Sequence, residues 1–281
     1  RRSGPDAQFW PRVFGATCIV EILIMGEFKN QWALILGGSS GLGLATAKKL
    51  ASEGMNICIV HRDRKSNLKE FENEVRQMKS LGISVKTFNK DALKEDVREE
   101  IIKDLPAQSV KILLHSIAKG SLKKMDAPKD ELLTKQDLEI TIHAMATSWY
   151  EWTQTLIEHK SFAKGARNIA FTSEGSARVW PGYAGVSAAK SVLEALMRNM
   201  AVELAPLKIT TNCIQAGTTE TPSFLVIPGS EKLAEMAKLR NPQNRLTNPG
   251  DVANAVYLLC KKEADWINGT VLKVDGGESL R

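Results

Sequence analysis

Seven short strand-like runs, separated by stretches that read as helices or turns, constrain this chain more than any other feature. They are WALILG (32–37), NICIVH (56–61), SVKTFN (84–89), VKILLHS (110–116), RNIAFTS (167–173), KITTNCIQ (208–215) and TVLKVDGG (270–277). Between them, LGLATAKKLASEG and KEFENEVRQMKSLG have helical patterning, with Gly54 and Gly82 as stop signals. Strands that are continuously apolar, and not alternating, are buried on both faces, as in a parallel sheet covered by helices on each side. The expectation is one α/β domain over residues 25–281, a doubly wound parallel sheet of about seven strands, without internal repeat or interdomain linker.

A hydrophobic content of 43% and a charged content of 25% exclude a disordered chain or a fibre. The formal net charge of +6 suits a phosphate-bearing ligand or an acidic partner. No nucleic-acid motif accompanies it, so nucleic acid is not expected. The four cysteines (Cys18, Cys58, Cys213, Cys260) form no CxxC or metal pattern, and no metal is expected. Cys58, Cys213 and Cys260 lie in apolar runs, which suits buried thiols in a reducing, cytoplasmic setting. Residues 1–24 stand apart. The run VFGATCIVEILIM is too short to span a bilayer and contains Glu21, and no small-x-small cleavage site follows it. This segment reads as vector-derived or upstream sequence, the alternatives being an extra strand or a membrane-surface anchor. No membrane partner is expected of the domain.

Directly after the first strand comes GGSSGLG, with Gly37, Gly41 and Gly43 at a strand-to-helix turn. Glycine permits the positive φ of such a turn and lets backbone approach a pyrophosphate. The free N–H groups of the following helix attract the same anion. Gly37, Ser39, Ser40, Gly41, Leu42 and Gly43 are therefore the candidate dinucleotide turn of a Rossmann-type sheet. At the end of the second strand an acidic residue favours NADH and an arginine favours NADPH. The segment HRDRK supplies Arg62, Arg64 and Lys65 around Asp63, which favours NADPH and leaves NADH as the alternative. Asp91, in NKDA, is placed either to contact the adenine or to cap a helix.

Tyr183 and Lys190 lie seven positions apart in PGYAGVSAAK, at the start of an apolar helix. With GGSSGLG, NKDA, HSIAKG, Ser173 and the closing VDGG, they make residues 29–280 resemble the short-chain dehydrogenase/reductase family. In the ketone-reducing branch the acid is a tyrosine four positions before the lysine; Val186 stands there and cannot donate a proton. The ketoreductase asparagine would fall near His143. The wider spacing and HSIAKG are instead similar to the divergent enoyl-acyl-carrier-protein reductases, and GVSAAKSVLEALMRNMAVELAPLKITTN to the NADPH-dependent, bacillus-type ones. The resemblance implies Tyr183, Lys190 and Ser173 as catalytic residues. It further implies cofactor contacts from Arg62, Arg64, Asp91, Ala92, Ser116, Ile117, Ala118, Lys190, Gly217, Thr219 and Thr221. Thr218 stands where the family usually has proline.

There is a physical reason for the displaced tyrosine. In ketone reduction, hydride adds to the carbon that bears the oxygen. In an enoyl thioester it adds to C3, and charge develops on the thioester oxygen two carbons away. A donor moved by about one helical turn is better placed to meet that oxygen. Lys190 would hold the nicotinamide ribose and lower the Tyr183 pKa. Ser173 would orient substrate or cap its strand. Residues 222–243 read as a lid, with Phe224, Leu225, Val226 and Ile227 lining an acyl pocket or packing in the core. Lys119, Lys123, Lys124, Arg178, Lys232 and Arg240 are candidates for docking an acidic carrier protein.

The function expected is reduction of an enoyl thioester, carried on acyl carrier protein or coenzyme A, in fatty-acid biosynthesis. A 3-oxoacyl or other carbonyl reductase is the first alternative, and a non-catalytic NADPH sensor the second. The resemblance also implies a homotetramer.

Overall fold

Each of the seven runs is a strand in a computed structural model, which describes residues 27–281. The reading of residues 1–24, and Cys18 with it, lies outside the described residues. The strands are β1 (Trp32–Leu36), β2 (Asn56–His61), β3 (Val85–Asn89), β4 (Val110–His115), β5 (Phe162–Thr172), β6 (Thr210–Ala216) and β7 (Val271–Val274). They form a single sheet in the order β3-β2-β1-β4-β5-β6-β7, every pair parallel. The chain winds outward in one direction from β1 and in the other from β4. A crevice therefore opens where their carboxyl ends diverge.

The helices are α1 (Gly41–Ser52), α2 (Lys65–Lys79), α3 (Glu95–Asp104), α4 (Lys135–Ile142), α5 (Ser148–Glu158), α6 (Ala184–Glu203), α7 (Pro222–Leu225), α8 (Ser230–Arg240) and α9 (Pro249–Cys260). Successive strand residues face opposite layers, as the period-two geometry of a strand requires. Ala33 and Ile35 of β1, with Ile57 and Ile59 of β2, pack in the layer of α1 and α9. Leu34 and Leu36, with Cys58 and Val60, face the layer that holds Trp149, Trp152, Leu193 and Met197. Both tryptophans are fully buried with their indole N–H groups satisfied, by Asn168 Oδ1 at 2.5 Å and by the Ala92 carbonyl at 2.8 Å. The buried thiols expected at Cys58, Cys213 and Cys260 are found, and burial pushes each thiol up, Cys260 to about 12.

β5 begins five residues earlier than its apolar run suggests. The register with β4 jumps from Val110↔Phe162 to Ile112↔Arg167, and Gly165 adopts a φ of 69° within the irregular stretch. Polar Lys164 and Arg167 hide this segment from a hydrophobicity reading. Buried Arg167 donates to the carbonyls of Leu259 and Lys261 and pairs with Asp265, pinning the end of α9. Among the described residues, no helix is long and apolar enough to cross a membrane.

Candidate active site

The glycine turn sits at the crevice. Gly37 has a φ of 83°, and a Cβ there would lie 2.7 Å from the Ser116 carbonyl oxygen at the end of β4. Only glycine lets the two strand ends approach this closely. Ser40 precedes α1 with extended backbone, and its exposed side chain makes no capping hydrogen bond. The first N–H groups of α1 and this hydroxyl are thus left for an anion to take, which fits a pyrophosphate. Thr221 reaches the same turn: a Cβ on Gly41 would lie 3.3 Å from Thr221 Cβ. Ser39, Leu42, Ser116 and Ile117 are half-buried around the turn, whereas Gly43 is buried and Ala118 exposed.

At the adenosine end, Arg62 Nη1 lies 3.0 Å from Asp91 Oδ2, with the arginine side chain 61% exposed. So exposed a pair contributes little and is readily exchanged for a phosphate. Although burial opposes it, the Leu93 N–H and the Arg62 guanidinium hold the Asp91 carboxyl below its ordinary value. The helix-cap alternative for Asp91 is not what the structure shows, because α3 is preceded by Lys94 and Asp91 closes a local turn onto Leu93 N at 3.1 Å. Ala92 is buried beneath it and faces Trp152 through its carbonyl. Asp63 is turned toward buried His61, with Oδ2 2.7 Å from His61 Nδ1, while Arg64 is exposed.

Tyr183 is the residue that precedes α6, and Lys190 lies two turns into it. The phenol is pushed up by burial, and the nearby Ser173 hydroxyl draws it partly back. The expectation that Lys190 lowers the Tyr183 pKa is therefore corrected: burial dominates and the net shift is upward. Ser173 follows β5 and its Oγ accepts the Gly175 N–H at 3.3 Å, so it caps a turn and faces Tyr183 at once. Tyr183 also meets Trp180 edge-on, with ring centroids 5.4 Å apart. Lys190 is buried, donates to the Phe171 carbonyl at 2.7 Å, and is lowered by burial to about 8. Val186 packs with Ala144, Met145 and Ala189, well inside an apolar cluster.

Gly175 escaped the sequence reading. A Cβ on it would overlap Tyr183 Cε1 and lie 3.0 Å from Cδ1, so the tyrosine ring rests on bare backbone. Gly175→Ala is expected to lower turnover by about tenfold or more, since misplacing the candidate acid is costly. Its Tm should stay within about 3 °C of the parent; thermal melts alongside initial rates check both.

His115 was missed as well. It is fully buried at the end of β4, and its Nε2 lies 3.0 Å from Ser148 Oγ. Ser148 itself donates to the Ala144 carbonyl at 3.1 Å, so Nε2 carries the imidazole proton. Burial, with the Lys190 charge nearby, lowers His115 to about 3 and keeps it neutral. The legible signal was a histidine closing an otherwise apolar central strand. His143, by contrast, opens a π-helical turn (His143–Thr147) and bonds Glu151 Oε1 at 3.1 Å.

In the turn after β6, Thr219 is buried and donates to the Gly217 carbonyl at 2.8 Å. Thr221 Oγ1 accepts the Phe224 N–H at 3.2 Å, so its hydroxyl caps α7 and keeps its own proton to donate. Leu225 and Val226 are 64% and 72% exposed, against the core-packing alternative, and Phe224 and Ile227 are half-buried. Of the carrier-docking candidates, Lys123 is paired with Asp137 and Arg178 with Glu174, and Arg240 is largely buried between two carboxylates.

The fold and these residues define an oxidoreductase. A family model described as "Enoyl-(Acyl carrier protein) reductase" matches residues 37–279. The chain belongs to the short-chain dehydrogenase/reductase family. It is 30% identical over 261 residues to the (2S)-[(R)-hydroxy(phenyl)methyl]succinyl-CoA dehydrogenase subunit BbsD of Thauera aromatica, covering 90% of this chain and 98% of that one. Two solved structures share the fold at 24% identity. One is a short-chain dehydrogenase from Burkholderia cenocepacia in complex with NADP (TM-score 0.76, covering 90% of this chain and 99% of that one). The other is an enoyl-[acyl-carrier-protein] reductase (NADH) from Aquifex aeolicus (TM-score 0.75, 90% and 98%).

Proposed function

We propose that this protein reduces the trans-2 double bond of an enoyl thioester with NADPH. The observation that carries the reading is the position of the acid. Val186, where a ketone-reducing enzyme has its tyrosine, is locked in an apolar cluster, and Tyr183 stands at the head of α6 beside Ser173. The glycine turn, the uncapped Ser40 and the exposed Arg62 and Arg64 fit a 2′-phosphorylated dinucleotide, which when bound supplies the hydride. Tyr183, protonated at neutral pH, donates a hydrogen bond to the thioester oxygen as negative charge develops there. Ser173 orients that phenol. Lys190, released from the Phe171 carbonyl, holds a ribose hydroxyl. The exposed Leu225 and Val226 offer an acyl chain an apolar cover.

A second reading, reduction of a 3-oxoacyl thioester, is favoured by the nearness of Ser173 to Tyr183 and by the similarity to the dehydrogenase for a hydroxylated acyl-CoA. Acyl carrier protein or coenzyme A as the carrier, a homotetramer and a cytoplasmic location complete the proposal.

Oxidation of NADPH and of NADH by the full chain, offered crotonyl and acetoacetyl thioesters in parallel, tests it. Crotonyl turnover with NADPH is the expected result. Acetoacetyl turnover alone would replace the reading by the second one, and activity with neither would leave a non-catalytic binder.

A further inference from the structure

Arg240 ends α8, next to a buried asparagine, and its side chain is only 15% exposed. Nη1 and Nη2 donate to Glu174 Oε1 (3.2 Å) and Oε2 (3.0 Å), and Nη2 donates also to Glu278 Oε1 (2.9 Å). Glu278, 3% exposed, uses the same carboxylate on the turn after β6. Its Oε1 accepts the Thr218 hydroxyl at 2.7 Å and its Oε2 the Thr218 N–H at 3.0 Å. On the other side, Glu174 lies between Ser173 and the Gly175 that supports the Tyr183 ring. One guanidinium thereby joins segments far apart in sequence: the acid loop, the turn at Thr218, the lid helix and the C-terminal turn.

The chemistry explains why these residues go together. A proline at position 218 would have no N–H to offer. Threonine brings two donors to a site largely screened from water, and an unpaired buried N–H is costly. Glu278 satisfies both, but a nearly buried carboxylate needs a cation, and Arg240 supplies it in bidentate geometry to Glu174 and with a third bond to Glu278. An exposed arginine serving only to attract an acidic partner would not be committed in this way.

We infer that Arg240 and Glu278 are positioning residues which, through Glu174 and Thr218, hold the nicotinamide-side turn in register with the loop that carries Ser173 and supports Tyr183. The inference rests on the dinucleotide site proposed above. The end of α8 has a second anchor, Asn241 Nδ2 on the Asp275 carbonyl at 2.9 Å, so loss of Arg240 leaves the helix attached.

The test measures, by calorimetry on the full chain, the Kd of NADPH and NADH and of their adenine halves, 2′,5′-ADP and ADP. The halves do not extend to the turn at Thr218. Arg240→Met is expected to weaken the parent's preferred dinucleotide about tenfold and its adenine half by less than about twofold. Arg240→Lys should recover part of the loss. Glu278→Gln should act in the same direction, and the double variant no more strongly than the worse single change. Equal weakening of both ligands, or of neither, overturns the inference. If Arg240→Met does not fold, Arg240→Lys and Glu278→Gln carry the same comparison. A parent that binds neither dinucleotide removes the proposed cofactor site, and this inference with it.

Discussion

Tyr183→Phe is expected to lower turnover of the proposed thioester substrate by about 10²- to 10⁴-fold, the usual range for removing a general acid. NADPH affinity should stay within about threefold of the parent, because the phenol acts on substrate charge and not on cofactor binding. Phenylalanine keeps the ring on Gly175 and the edge-on contact with Trp180, so the fold should tolerate the change. Burial raises the phenol above its ordinary value despite the nearby Ser173 hydroxyl, so the phenol stays protonated through the neutral range and loses its proton only on the alkaline side. A pH–rate profile flat around neutrality, with an alkaline limb that disappears in the variant, is the signature. Undiminished turnover by Tyr183→Phe would mean that another group is the acid.

Lys190→Met should abolish most turnover and at the same time stabilise the ligand-free protein near neutral pH. Burial lowers Lys190 from an ordinary value of 10.5 to about 8, against the pull of Cys213 and Glu194. Below about 8 both folded and unfolded chains carry the proton, and the full penalty of burying the charge is present. Between about 8 and 10.5 Lys190 holds its proton in the unfolded chain more than in the folded one, so this residue's contribution to stability rises with pH. The size of the effect is on the order of 1–3 kcal/mol, reduced in the variant because the Phe171 carbonyl loses its donor. Burial of Cys58, Cys213, Cys260 and Tyr183 makes stability fall over this window in both proteins, so urea unfolding should show Lys190→Met falling more steeply with pH than the parent. A parent whose stability falls as steeply as the variant's would refute the assignment of a strained, buried ammonium. A lysine kept at the expense of stability is what a ligand-holding role predicts.

Much of the site was legible because its constraints are local. A turn where two strand ends nearly touch needs glycine at Gly37, and a phenol heading a helix two turns before an ammonium is visible as Tyr183 and Lys190. The parts that escaped depend on residues brought together from distant positions. Gly175 looks like any loop glycine until the Tyr183 ring lies on it. His115 looks like a strand end until Ser148 and the Lys190 charge surround it. Arg240 reads as one more basic surface residue until Glu174 and Glu278 enclose it. Asp63 and Arg62 form one charged run in sequence, yet the first turns to His61 and the second to Asp91.

Continuity of the apolar runs was enough to determine a parallel sheet with two covered faces, since a strand without alternation has no face to give to water. Chemical type and spacing along one helix were enough to single out Tyr183 over Val186 as the candidate donor. What only the tertiary structure decided is the protonation and company of these groups. Burial raises Tyr183, lowers Lys190 and neutralises His115, and burial depends on which layers close over a residue. The join from Arg240 through Glu278 to Thr218 spans α8, the C-terminal turn and the end of β6. Hydrogen bonds of about 3 Å act only between groups that folding has already placed in contact.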